Sequence, residues 1–97
     1  YYTGNGTGGS STQTITTGFQ PRFIIIKKAN GAENWLVFDT VRGWGAGNDK
    51  SLKLNSTDGQ NSGTWDVGAP TSTGFTLVGN FGTTNASGGK YIYYAHA

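Results

Sequence analysis

The sequence predicts an all-β fold, an antiparallel β-sandwich of jelly-roll-like type with seven or eight short strands. Three observations predict it. Gly, Thr, Asn and Ser fill almost half of the 97 positions while helix-favouring residues are scarce, which excludes a helical bundle. Turn-forming Gly, Asn and Pro recur about every 8–12 residues, the spacing of sandwich strands. Between them stand short β-branched and aromatic stretches with a period of two.

Taken in order, residues 1–3 read as an edge strand and 13–17 as the next. Residues 22–29 place Phe23, Ile25 and Lys27 on one face and Ile24, Ile26 and Lys28 on the other, so both faces are apolar near the start and the strand is expected to be central. Pro21 stands at its entry, where a missing amide donor is tolerated. In 34–40, Trp35 and Val37 alternate with Leu36 and Phe38, and the Asn30-Gly31 turn between the two segments predicts a hairpin with a longer loop. Residues 41–63 turn polar and glycine-rich, which predicts two long surface loops around a short strand at 51–55. Strands at 64–67, 74–79 and 90–96 complete the set. The last carries Tyr91, Tyr93 and Tyr94 on both faces, so at least one phenol is expected at a surface or interface. Phe19, Phe23, Trp35, Phe38, Phe75 and Phe81 sit in or beside strand patterns and are expected in the core.

The length predicts one domain spanning 1–97. Seven basic and five acidic residues are scattered, for a net charge of +2, and lack the concentrated stripe that nucleic acid requires. Apolar runs are too short for membrane insertion. Absence of cysteine excludes a disulfide framework and thiolate metal sites. A chain with no methionine that starts at Tyr1 is expected to be processed or excised from a longer one.

Catalytic groups are poorly supplied. His96, the only histidine, is penultimate, and Glu33 is the only glutamate; no Ser-His-Asp arrangement or singled-out carboxylate pair accompanies them. Asp39 lies inside a strand and reads as a structural residue paired with Arg42. The glycine run at 4–9 lacks the Gly-Lys-Ser/Thr ending of a phosphate loop and reads as a flexible turn beside an edge strand. Asp49 and Asp58 with Asn48, Asn55 and Asn61 offer oxygen ligands without a regular calcium ladder, and all are ordinary turn formers. Neither a metal nor a cofactor is expected. Sequons at Asn5, Asn55 and Asn85 mark exposed loops.

Trp44 differs from the other rings because it sits among glycines with no apolar alternation around it. It could stack on a sugar, cap the sandwich or dock a neighbouring subunit; packing is the preferred reading, since small sandwiches need lids and interfaces favour Trp. The sugar reading would group Trp44 with Asp49, Asp58 and Asn61 as a binding site.

Six segments in order, Tyr-Thr-Gly-Asn-Gly-Thr (2–7), Gly-Phe-Gln-Pro-Arg-Phe-Ile-Ile-Ile-Lys (18–27), Phe-Asp-Thr-Val-Arg-Gly (38–43), Gly-Phe-Thr-Leu (74–77), Asn-Ala-Ser-Gly (85–88) and Tyr-Ile-Tyr-Tyr-Ala-His-Ala (91–97), resemble a β-rich module of tailed-bacteriophage virion proteins, common in marine phages. Residues 44–49 and 63–72 depart from that pattern. The resemblance implies a non-enzymatic tail-fibre, head-fibre or capsid-decoration module, located in the virion. Its partners would be copies of itself and other virion proteins, with host-surface glycans as the alternative ligand. Phe23, Ile25, Phe38, Val41, Phe75, Leu77, Tyr91 and Tyr93 would be framework.

Overall fold

A run of three isoleucines between Phe23 and Lys27 can only be sheltered by neighbours on both edges and cover on a face, and the chain supplies both. In the computed structural model, which describes residues 1–6, 12–45, 49–60 and 66–97, β3 (Phe23–Lys28) lies between β4 (Leu36–Asp39) and β8 (Lys90–His96), antiparallel to each. Ile24 faces Phe38 and Ala95, and Ile26 faces Leu36 and Tyr93. The short β1 (Tyr2–Thr3) and β5 (Leu52–Lys53) close the edges of this five-stranded sheet, in the order β1-β8-β3-β4-β5.

A second sheet, β2-β7-β6, is built from β2 (Thr12–Thr16), β7 (Gly74–Val78) and β6 (Gly68–Pro70). The nested pairings β1 with β8 and β2 with β7 give the fold its jelly-roll character. The eight described strands and two sheets are the all-β sandwich that the period-two pattern predicts.

Its core is aromatic. Ile24, Leu36, Phe38, Phe75, Leu77 and Tyr91 are fully buried, each stabilising the fold by about 1.5–3 kcal/mol. Tyr2 stacks on Tyr91 with centroids 5.1 Å apart, and Phe75 meets Tyr93 edge-on at 5.3 Å. The Phe75 contact, with the edge-on approach of Tyr2 to Phe75 at 6.4 Å, ties the small sheet to the large one.

A polar clasp seals one end. The Asn85 side chain is fully buried: its Oδ1 accepts the Asn5 amide (3.1 Å), and its Nδ2 donates to Asn5 Oδ1 (3.1 Å) and Gly79 O (2.9 Å). Main-chain bonds from Gly4 to Gly89 O and from Gly6 to Asn85 O run beside it. Glycine is required at both positions, because a Cβ on Gly4 would lie 2.1 Å from Ala86 O and one on Gly6 would lie 2.4 Å from Asn85 O. The Tyr2 hydroxyl donates to Thr84 O (2.7 Å), and the Tyr91 hydroxyl accepts from Ala86 N–H (2.9 Å) and donates to Gly82 O (2.8 Å).

Several expectations need correction. Strand β6 begins at Gly68, after the predicted 64–67; Val67 is buried in the core, and positions 64 and 65 lie outside the described residues. Trp35 precedes β4 and is exposed, because the face of β4 that meets the core belongs to Leu36 and Phe38. Val41 is 94% exposed in the turn after β4 and is no part of the framework. Asn85 is buried, unlike the exposed Asn5 and Asn55, because its amide is consumed by the clasp. Gly4 and Gly6 are bonded and buried parts of that clasp where a flexible turn was expected; positions 7–9 lie outside the described residues.

Candidate functional site

Of the four residues grouped from sequence, three are described, and two of these, Trp44 and Asp49, are buried rather than part of a surface. Trp44 is 5% exposed; its ring lies 6.4 Å from Phe38 and 6.3 Å from Phe75, so the indole is a lid on the core and offers no platform for a sugar. Asp49 is also buried. Its Oδ1 accepts Gly45 N–H (3.0 Å) and its Oδ2 accepts Val67 N–H (2.8 Å) and Gly68 N–H (3.3 Å), which fastens the loop carrying Trp44 to the start of β6. Burial raises its pKa above the ordinary Asp value, opposed by these three bonds and reinforced by nearby Asp66. Asp58 is exposed, 3.4 Å from Lys53 Nζ. Asn61 lies outside the described residues.

The other perturbed groups are structural too. Burial holds the Tyr2 phenol well above the ordinary tyrosine range, with Tyr91 and Tyr93 adding to the effect, and burial raises Tyr91 as well. Both hydroxyls are committed to main-chain carbonyls of the clasp. Asp39 pairs with Arg42 as the sequence suggests, its Oδ2 2.6 Å from Arg42 Nε and its Oδ1 accepting the Arg42 amide. Among the described residues no cluster of three or more His, Asp or Glu could hold a metal ion.

What the fold does assemble is the outer face of the five-stranded sheet. The register places Phe23, Ile25 and Lys27 of β3 beside His96, Tyr94 and Ile92 of β8, with Val37 opposite Ile25 and Leu52 opposite Val37. Outward strand faces in a sandwich are normally polar. Here Tyr94 is 58%, Leu54 59%, Ile92 45% and Trp35 38% exposed. Trp35 and Leu54 fold over the sheet edge through the Leu54 N–H···O Trp35 bond (2.9 Å), and with Ile25, Ile92 and Tyr94 they line a groove of about 180 Å³. Tyr94 stacks on His96 at 6.4 Å.

At one end this strip runs into a wider recess of about 380 Å³ lined by Arg22, Phe23, Asp39, Val41, Arg42 and His96. At the other stand Lys27 and Lys90, so cations flank an apolar centre. The arrangement can cover an apolar or planar partner and set its orientation by charge at the rim. Sequence reasoning missed it because Trp35 and Phe23 were expected in the core, whereas Trp35 is exposed and Phe23 is half-buried at the outer recess; the available signal was that β3 and β4 are apolar on both faces, one more than a single core consumes.

No curated protein and no solved structure matches the chain. A family model described as a domain of unknown function, DUF7483, matches residues 1–97. The chain therefore belongs to the DUF7483 domain family.

Proposed function

We propose that the chain is a non-enzymatic structural or accessory module of a phage virion, which assembles on a capsid or fibre through the outer face of its five-stranded sheet and displays polar loops. The observation that carries the docking role is the apolar, aromatic outward face where a free sandwich would be polar. The exposed segment from Asn55 to Gln60 supplies a displayed loop. The virion setting rests on the ordered resemblance from residue 2 to residue 97. The absence of a reactive role is supported by the perturbed groups Tyr2, Asp49 and Tyr91, each of which is committed to main-chain partners.

Co-sedimentation of the purified chain with capsid and fibre proteins tests the proposal. Binding that is lost in Tyr94→Ser and Ile92→Glu, with folding intact, is the expected result. No affinity for either class of virion protein would refute it.

A second reading, a carbohydrate-binding adhesion module for host-surface glycans, now draws on Trp35 and Tyr94, whose exposed rings share one groove. Glycan-array binding abolished by Trp35→Ala supports it, and an array with no positive glycan removes it.

A further inference from the structure

Among the described residues four strand edges end the two sheets, and three of them are blunted. Strands β1 and β5 are two residues long, and β6 is three residues long and ends in Pro70. Short strands and proline are the usual protection against unwanted pairing. Strand β2, Thr-Gln-Thr-Ile-Thr, is different: it has five residues, no charge and no proline, and no other described strand pairs with its far side.

The polarity of that far side follows from the register. Thr17 N–H donates to Thr73 O in continuation of the Thr16↔Gly74 pairing. Bonded and non-bonded pairs alternate along an antiparallel ladder, so Ile15↔Phe75 and Gln13↔Leu77 are the bonded pairs. The main-chain groups of Thr12, Thr14 and Thr16 therefore point away from β7. Two contacts agree: Ile15 O lies toward β7, close to where a Cβ on Gly74 would stand, and Thr12 O receives the Asn5 side-chain amide (3.1 Å), which comes from outside the sheet. The three threonine side chains are exposed, while Gln13 and Ile15 turn inward.

We infer that this edge is a homodimer interface, in which β2 pairs antiparallel with β2 of a second copy about a two-fold axis at Thr14. The occupant is a second copy because the three positions whose main-chain groups point outward, Thr12, Thr14 and Thr16, carry the same uncharged side chain on either side of Thr14, so the edge presents itself identically to its own two-fold mate. A two-fold there sets Thr14 against Thr14 and Thr12 against Thr16, in the phase that lets every outward N–H meet an outward C=O. About six main-chain hydrogen bonds form along five residues, and the threonines make cross-strand pairs on the solvent face. Thr12 O keeps its bond to Asn5, because a carbonyl oxygen has two acceptor sites. The product is one continuous six-stranded sheet. The inference deepens the assembly reading, yet it uses a different surface from the outer face of the large sheet.

The experiment is sedimentation and light scattering of the full 97-residue chain up to about 1 mM, the weak limit for a specific contact, with Thr14→Pro, Thr14→Lys and Tyr94→Ser beside the wild type. Thr14→Pro removes an outward N–H and leaves the β2–β7 ladder whole; Thr14→Lys places a charge on the edge in case proline perturbs folding. A dimer weakened at least about tenfold by both, but unchanged by Tyr94→Ser, and slow amide exchange at Thr14 and Thr16 in the dimer, are expected. A chain that stays monomeric, or a dimer indifferent to both Thr14 variants, overturns the inference. A dimer lost only in Tyr94→Ser also overturns it and assigns self-association to the outer face. Capsid or fibre binding that persists in Thr14→Lys leaves the docking proposal standing whichever way the dimer test falls.

Discussion

Replacing Asn85 by aspartate exchanges one nitrogen for an oxygen at constant shape, and the clasp predicts that this small change is expensive. In the native side chain Nδ2 donates to two oxygens, Gly79 O and Asn5 Oδ1, at 2.9 and 3.1 Å. A protonated aspartic acid keeps one of these bonds, so the loss at low pH is one buried hydrogen bond, about 1–2 kcal/mol. An ionised carboxylate keeps neither and faces two acceptors in a fully buried position. The fold therefore raises the pKa of the introduced group, and each unit of that rise costs about 1.4 kcal/mol once the solution pH exceeds the folded value. The sign is definite: Asn85→Asp is least harmful below the unfolded carboxylate range and grows worse as pH rises through the folded pKa. With about 4–8 °C of Tm per kcal/mol for a domain of this size, the variant should melt about 5–15 °C below wild type near pH 3 and further below it at pH 7. Thermal denaturation followed by circular dichroism across that pH range reads both limbs. Equal melting temperatures at pH 7, or a difference that shrinks as pH rises, would refute the clasp.

Other outcomes follow from the same packing. Trp44→Ala should cost about 3–5 kcal/mol by opening a cavity beside Phe38 and Phe75, whereas Trp35→Ala at the exposed groove should cost less than about 1 kcal/mol; urea denaturation separates them. Asp49→Ala leaves the amides of Gly45, Val67 and Gly68 without their acceptor and should cost about 2–5 kcal/mol by the same assay. Because burial lifts the Asp49 carboxyl, its contribution is complete below the unfolded carboxylate range and is lost as pH rises through the folded pKa; a carboxyl NMR titration should place it above an ordinary aspartate. Gly68→Ala should prevent stable folding, since φ is +138° and the new Cβ would stand 1.8 Å from Thr76 O, as loss of the cooperative melting transition would show.

The strands richest in bulky residues were legible and the polar joints were not. Strand β8 was predicted with its observed limits, and the hairpin of β3 and β4 followed from apolar segments around Asn30-Gly31. Alternation tells which residues share a face, not which face turns inward, and where both faces are apolar the choice falls to packing. Trp35 and Phe23 went astray in that way, whereas Val41 was named as framework only by the resemblance and lies in a turn. Packing was the preferred reading of Trp44 because a small sandwich needs a lid, and the indole lies beside Phe38 and Phe75 as such a lid. Asn85 and Asp49 carried no local signal, because each acts on main-chain groups distant in sequence: Asn5, and Val67 with Gly68. The docking face was legible only as a surplus of apolar residues.

The clasp also decides when the domain can exist. Tyr2 and Asn5 bond to partners 82 and 80 residues away, so β1 has no native neighbour until β8 has been made. Topologies dominated by such distant contacts fold in about milliseconds to seconds, slower than helical chains. During that wait the uncharged edge of β2 is open to any strand nearby, and rapid capture of β8 by β1 becomes the safeguard against mispairing.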